Sequence, residues 1–328
     1  MFAAHWQRFL GVPPLTPIVT LTLNPALDLA VETRRVLPGP KLRCTAPRID
    51  PGGGGVNVSR VVARLGGETL ALVAVGGGNG ARLCAALATE NVPFRPLPSP
   101  GETREGLTVT ERSTGEQYRF ALPGPKWRAS DVASALRSTV QAVARGQFLV
   151  MSGSLPPGVP ADVAARLARR IARAGGRMGA DTSGAALAEL AGGPSGLDLL
   201  RMNGAEAEEL AGHPLPLAAD SADFAQALVH RGVARLVIVA RGAEGSVLAS
   251  PEGRFLARAA EVPVKSRIGA GDSFMGAMVL ALARGLRPER ALQEGTAAAC
   301  AAVMTDATEL CRAREARRLI RDCPVQPV

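Results

Sequence analysis

A chain of 328 residues with 47% hydrophobic and 20% charged side chains is long enough for one large α/β domain and too apolar to be disordered. Its net charge of +9 suits an anionic ligand, but the arginines are dispersed and no basic–aromatic interleaving occurs, which excludes a single-strand platform and leaves no nucleic-acid partner expected. Five cysteines without CxxC spacing and three scattered histidines exclude a zinc cluster and a disulfide framework.

Residues 1–17 contain three prolines and no periodicity or long apolar run, and read as an extension rather than a leader. From Ile18 onward, apolar runs predict strands over Ile18–Asn24, Leu70–Val75, Phe148–Ser152, Met178–Asp181, Leu197–Asn203 and Arg235–Ala240. Between them, amphipathic patterns predict helices over Asn57–Leu65, Ala81–Glu90, Ala161–Ala174, Ala205–Ala211 and Ala222–Arg231. This alternation predicts a mainly parallel sheet covered on both faces, in one domain spanning 18–323. Leu27–Asp50 and Glu105–Leu122 break the rhythm with hairpin-like patterns and turns at Pro38-Gly39-Pro40 and Ser113-Thr114-Gly115. They predict a small second sheet, with lid segments at about 29–50 and 104–122, that covers a site and offers a surface to a second subunit. The apolar stretch Phe274–Ala283 is too short for a membrane span and predicts a buried helix, whereas Arg312–Arg321 predicts a solvated one. No membrane partner is expected, and the reduced thiols point to the cytoplasm.

The most specific motif is Ile268-Gly269-Ala270-Gly271-Asp272-Ser273 at the start of the buried helix. Helix-start N–H groups attract anions, small residues allow close approach, and Asp272 is a carboxylate placed to take a proton from a hydroxyl attacking a phosphoryl group. Pro51-Gly52-Gly53-Gly54-Gly55-Val56-Asn57 brings bare backbone and an amide to a helix start, as a ligand contact would require. Asp28 follows the first strand, on the ligand side of an open sheet, although a plain turn residue fits as well. Asn203 and Glu206 have capping-box spacing, and the same pair suits Mg²⁺ held through water. Gly76-Gly77-Gly78-Asn79-Gly80-Ala81 fits G-x-G-x-x-A, but the acid at dinucleotide spacing, Glu102, lies beside the Pro- and Gly-rich run 96–101. That reading is set aside.

Taken in order, these motifs resemble the ribokinase-like, phosphofructokinase-B family of sugar kinases, from about Val19 to Cys311. The strings Lys41–Pro47, Gly52–Gly55 with Asn57, Gly115–Phe120 and Ser152–Gly158 are most similar to its minor 6-phosphofructokinase, 1-phosphofructokinase and tagatose-6-phosphate kinase group. The resemblance implies a ribokinase-like three-layer α/β/α fold with a small β-sheet lid, a homodimer through that lid, and ATP-dependent phosphorylation of a sugar phosphate with Mg²⁺ and K⁺ as cations. Fructose 6-phosphate is the expected acceptor, with fructose 1-phosphate or tagatose 6-phosphate as alternatives and a catalytically weak sugar-phosphate-binding regulator as the non-enzyme alternative. By similarity Asp272 is the general base, and Gly269, Ala270 and Gly271 form the anion hole. Asp28, Gly53, Gly54, Asn57 and Ser154 would bind the sugar, with Lys41, Arg43 and Arg104 supplying charge for its phosphate. Asn203, Glu206, Arg241, Gly242 and Gly245 match the nucleotide side, with Mg²⁺ near Glu206. The chain departs from the family pattern at Arg267, at Arg201-Met202 before Asn203, at Ala240 and at Ala307.

Overall fold

The computed structural model describes residues 18–306 and 308–328; the expected extension over 1–17 and the departure at Ala307 lie outside the described residues. Ten strands form the main sheet: β1 (Ile18–Thr22), β4 (Thr69–Val75), β5 (Phe94–Pro98), β8 (Phe148–Ser152), β9 (Arg177–Asp181), β10 (Leu197–Asn203), β11 (Ala234–Ala240), β12 (Ser246–Ser250), β13 (Gly253–Ala257) and β14 (Val325–Pro327). Their order is β14-β13-β12-β11-β10-β9-β8-β1-β4-β5. The seven strands from β11 across to β5 are parallel, and β12, β13 and β14 continue antiparallel. The strand β14 carries the domain past the boundary expected at 323.

Alternate residues of each central strand feed two cores, as a strand covered on both faces requires. Val19, Leu149, Met178 and Leu200 face α3 (Ala129–Ala142), α4 (Val163–Arg173), α5 (Gly184–Ala191), α6 (Gly204–Ala211) and α7 (Ala218–His230). Ile18, Phe148, Val150 and Leu199 face α1 (Gly54–Arg64), α8 (Ala270–Ala283) and α9 (Pro288–Val303). Helix α2 (Gly77–Thr89) covers β4 on the α1 side, and α10 (Ala313–Leu319) packs on α9. The predicted strands appear within two residues of their expected ends. Helices α3, α5 and α9, the β12–β13 hairpin and edge strand β5 were not anticipated.

The second sheet runs β3-β2-β6-β7, built from β2 (Ala26–Thr33), β3 (Arg48–Gly52), β6 (Arg104–Glu111) and β7 (Gln117–Ala121). The pair β6–β7 is the expected hairpin. The earlier pair differs: β2 and β3 are antiparallel, but residues 34–47 between them form no strand, so Pro38-Gly39-Pro40 lies in a long connection rather than a tight turn. The excursions join through a parallel β2–β6 ladder that pairs Asp28 with Gly106. Among the described residues, no helix is long and apolar enough to cross a membrane.

From β1 the chain moves to β4 and β5, then returns to place β8 on the other side of β1. In open α/β sheets such a reversal leaves a crevice at the carboxyl ends of the strands, where ligands bind. Thr22, Ser152, Asp181 and Asn203 all lie at those ends.

Candidate active site

Every residue of α8 from Ser273 to Ala281 is buried, so this helix packs on all sides and close approach depends on small side chains. Gly276 supplies it: a Cβ there would lie 2.7 Å from Cγ1 of Val61 and 3.1 Å from the Val58 carbonyl, both on α1. One turn N-terminal on each helix lie Asp272 and Asn57. The crossing thus brings the Asn57 amide onto the carboxylate, and Nδ2 donates to Asp272 Oδ2 at 2.9 Å.

Gly269 caps α8 in the left-handed conformation, φ 75°, and a Cβ there would strike Leu310 at 2.6 Å. The first intrahelical acceptor goes to Ser273, whose N–H meets the Gly269 carbonyl at 2.8 Å, so the N–H groups of Ala270, Gly271 and Asp272 precede the helical ladder. The Arg201 guanidinium leans over this turn, 2.8 to 3.0 Å from where a Gly271 side chain would begin, and is pinned to Asp181 at 3.0 Å. Burial pushes the Asp272 carboxyl up from 3.8 to about 6. The Asn57 bond opposes that rise, Asp181 adds to it, Arg201 opposes it, and Asp28 adds again. A carboxylate held near 6 is ionised at neutral pH and is a stronger base than an ordinary aspartate.

The four-glycine run threads between strand ends. A Cβ on Gly54 would lie 2.2 Å from Ser152 Oγ, and one on Gly55 would lie 2.5 Å from Thr22 Oγ1. Gly53, at φ 112°, would meet Thr22 and the Pro25 backbone. On the Cβ side, then, these glycines are spent on packing α1 into the switch point. The Asp28 carboxylate fills the space above two further glycines, 2.0 Å from a Cβ on Gly52 and 2.5 Å from one on Gly106. Burial raises Asp28 to about 6 despite Arg104 and Arg119. Arg104 donates to the carbonyls of Asn24 and Leu122, and Ser154 accepts from Asn24 at 3.0 Å.

Past the ends of β10 and β11, Asn203 and Glu206, expected to border the nucleotide, form a reciprocal capping box at the start of α6, with bonds of 2.9 and 2.8 Å. Burial raises the Glu206 carboxyl above its ordinary value, the Asn203 N–H opposes this, and Asp181 raises it further. Gly242 and Gly245 make a left-handed turn after β11. Arg241, expected beside the nucleotide, precedes this turn. Its buried guanidinium is consumed by the carbonyls of Leu215 and Pro216, Ser221 Oγ and Glu244. Met202 is a fully buried core residue, Ala240 ends β11 half-buried, and Arg267 is exposed. Lys41 and Arg43 stand exposed on the 34–47 connection, and their side chains pair with nothing among the described residues. Gln117 on the lid accepts from Ser266 Oγ at 3.1 Å, which ties β7 to the approach to Gly269.

Sequence reasoning missed Asp181 and Arg119 as site residues and treated Arg201 only as a departure. Asp181 ends a predicted strand at the ligand edge, a position that could have marked it. Arg119 had no such signal, because only the β6–β7 register turns it toward Asp28.

The N–H groups at the start of α8 and the Arg201 guanidinium, which a side chain on Gly271 would displace, together suit an anionic group. Among the described residues no three His, Cys, Asp or Glu side chains gather as a metal cluster. Asp181 and Glu206 are the carboxylates that would hold a hydrated Mg²⁺.

The model of the pfkB family carbohydrate kinases matches residues 21–314. The ATP-dependent 6-phosphofructokinase isozyme 2 of Mycobacterium tuberculosis H37Rv is 39% identical over 301 residues, covering 92% of this chain and 88% of that protein. A 1-phosphofructokinase of Xanthomonas campestris is 33% identical over 80% of this chain and 83% of its own. The crystal structure of phosphofructokinase-2 from Escherichia coli in complex with potassium superposes with a TM-score of 0.88 at 37% identity, covering 93% and 98% of the two chains. The chain therefore belongs to the pfkB family of carbohydrate kinases, phosphotransferases that act on a sugar hydroxyl.

Proposed function

We propose that the chain transfers the γ-phosphoryl group of ATP to fructose 6-phosphate, giving fructose 1,6-bisphosphate and ADP. The observation that carries this is the Asp272 carboxylate at the start of α8, held by Asn57 at 2.9 Å beside an anion cradle backed by Arg201. The names of the relatives supply the choice of acceptor.

In this mechanism Asp272 takes the proton of the sugar's primary hydroxyl as its oxygen forms the new bond to phosphorus. The bond from phosphorus to the leaving diphosphate oxygen breaks, and the proton later passes from Asp272 to water. The N–H groups of Ala270 and Gly271, with Arg201, neutralise charge developing on the transferred group. Asp28 and Asn57 orient the sugar, with Ser154 and the backbone at Gly53 and Gly54 beside them. Arg104 and Arg119 flank Asp28 with the charge its phosphate needs, and Lys41 and Arg43 add to it from the lid. The turn at Gly242 and Gly245 and the capping box of Asn203 and Glu206 border the nucleotide. Mg²⁺ supplies charge neutralisation on the phosphates, and Asp181 and Glu206 would hold its water shell. We propose K⁺ as a further cation on the strength of the potassium complex of the E. coli protein. The lid exposes Leu42, Ile49, Phe120 and Leu122, which supports a homodimer that buries this sheet.

A coupled ADP-release assay with fructose 6-phosphate, fructose 1-phosphate and tagatose 6-phosphate tests the reading. Fructose 6-phosphate should give the highest kcat/KM. Preference for another acceptor overturns the substrate, and phosphosugar binding without turnover overturns the activity.

A further inference from the structure

Arg60 lies on α1, one turn beyond Asn57, and is 1% exposed. A buried guanidinium must use its donors well, and this one does. Nε and one terminal nitrogen bind the Glu90 carboxylate at 2.8 and 2.5 Å, a fork-to-fork pair. The other terminal nitrogen donates to the Pro51 carbonyl and to Asn57 Oδ1, both at 3.1 Å. The chain thus runs from Glu90 through Arg60 and Asn57 to Asp272.

An asparagine amide has two faces, and they do opposite things to a neighbouring carboxylate. Its NH₂ stabilises the charged form, and its carbonyl repels it. Because Arg60 can only donate, it fixes the carbonyl on its own side and leaves the NH₂ for Asp272. We propose that Arg60 is a positioning residue for phosphoryl transfer: by holding the Asn57 carbonyl it keeps the Asn57 nitrogen turned toward the Asp272 carboxylate. The inference rests on Asp272 being the base.

The anchoring around Arg60 is more elaborate than neutralising one buried cation requires. Asp50 lies 3.6 Å from Arg60 and is shared with Arg48 and with Thr308, while Arg64 supports Glu90 at 3.6 Å. Arg64 also donates to the carbonyl of Leu310, the residue that packs on Gly269. One ionic cluster behind α1 therefore braces both the amide that meets Asp272 and the loop beneath its anion hole. The charged groups facing Asp272 itself are Asp181, Arg201 and Asp28. Arg60 acts on it through Asn57.

The test pairs Arg60→Met with Glu90→Gln, so that no unpaired carboxylate is left buried. Folding is followed by circular dichroism, and kcat and kcat/KM are measured against pH. A freed Asn57 presents its carbonyl to Asp272 part of the time. The acid limb of kcat should then rise by about half a pH unit or more, and kcat at pH 7 should fall about tenfold, with the KM for ATP little changed. A folded double variant with the wild-type acid limb and kcat overturns the proposal. Arg60→Lys gives an independent reading should the double variant not fold: lysine keeps the charge but cannot span Glu90 and Asn57, so the same limb shift is expected. In an Asn57→Leu background the Arg60 change should add less than about a twofold loss, and a full additional loss would show that it acts elsewhere. Near-normal turnover in Asp272→Asn removes the base itself and with it the proposed function. A dead Asp272→Asn enzyme beside an unmoved limb in the Arg60 variants removes the positioning role alone.

Discussion

The turn at Gly269–Gly271 and the turn at Gly76–Gly80 look alike in sequence, and each opens a helix with N–H groups ahead of its ladder. At Gly76–Gly80 the chain fills that end itself. The Glu102 carboxylate accepts from the Asn79 N–H at 2.6 Å and occupies the space over Gly77, where a Cβ would lie 1.8 Å away. Gly76 is stitched in both directions to Thr103, at the root of lid strand β6. At Gly269–Gly271 the neighbour of the turn is a cation, Arg201, itself paired with Asp181, and the turn's own acid, Asp272, is bonded to Asn57. A helix start attracts an anion whatever its source. Where the chain supplies one, the turn is a joint; where it supplies a cation instead, the proposed function assigns the turn to a phosphate.

Asp272→Asn breaks this contrast most severely. It should cut kcat by at least about a hundredfold, as expected for loss of a general base, measured by ADP release. The same variant should be more stable than the parent at neutral pH. Burial raises Asp272 from 3.8 to about 6, so the folded state holds a proton that the unfolded state has released between those values. Ionised Asp272 thus destabilises the fold above about pH 6, by up to about 3 kcal/mol, and the penalty fades as pH falls toward 4. Urea melts at pH 7.5 and pH 5 should show the advantage of asparagine shrinking at the lower pH. Catalysis has the opposite sign, because the base must be ionised. In the wild type kcat should fall about tenfold per pH unit below about pH 6, and a flat profile down to pH 5 would remove Asp272 as the titrating base.

A smaller effect is expected of Gly271→Ala. The added methyl displaces the Arg201 guanidinium from its 3.0 Å pair with Asp181, while alanine favours the helix. We expect a loss of about three- to tenfold in kcat with an unchanged or higher melting temperature. Lower stability without any change in kcat would show Arg201 to be a structural neighbour only.

The legible part of the fold was whatever depends on periodicity. Strand Phe148–Ser152 was read to the residue because every position is buried and the run is apolar up to its last residue, and Leu197–Asn203 because its buried Leu197, Leu199, Leu200 and Met202 outweigh the polar Asp198 and Arg201. Helices α3 and α9 were overlooked although their apolar faces are no weaker than those of α6 and α7, which were read. Asp272 and Asn57 were legible as motifs, but their mutual bond was not, since it depends on the Val61–Gly276 crossing of helices more than 200 residues apart in sequence. The surroundings of Arg241 were hidden for the same reason: the string Arg241–Gly245 was placed by resemblance, and only the fold brings the carbonyls of Leu215 and Pro216 to its guanidinium. The Glu102 plug was likewise invisible, because residue spacing does not tell which way a loop carboxylate folds back.

Glu102→Ala addresses that plug and should have the smallest effect. Glu102 is exposed, so its bond to Asn79 and its interaction with the helix start are partly screened. Its removal should cost about 0.5–1 kcal/mol in urea denaturation, the range of an exposed charge near a helix terminus. Because the Thr103 bonds to Gly76 remain, β6 keeps its anchor and Arg104 its place beside Asp28, so kcat should stay within about twofold. Added pyrophosphate separates the two turns directly. If Glu102 only plugs a joint, the variant should gain no protection from pyrophosphate beyond that of the parent, whose open turn is at Gly269. Extra protection confined to Glu102→Ala would mean that both turns can hold an anion, and that the sole difference between them is which one the chain has already filled.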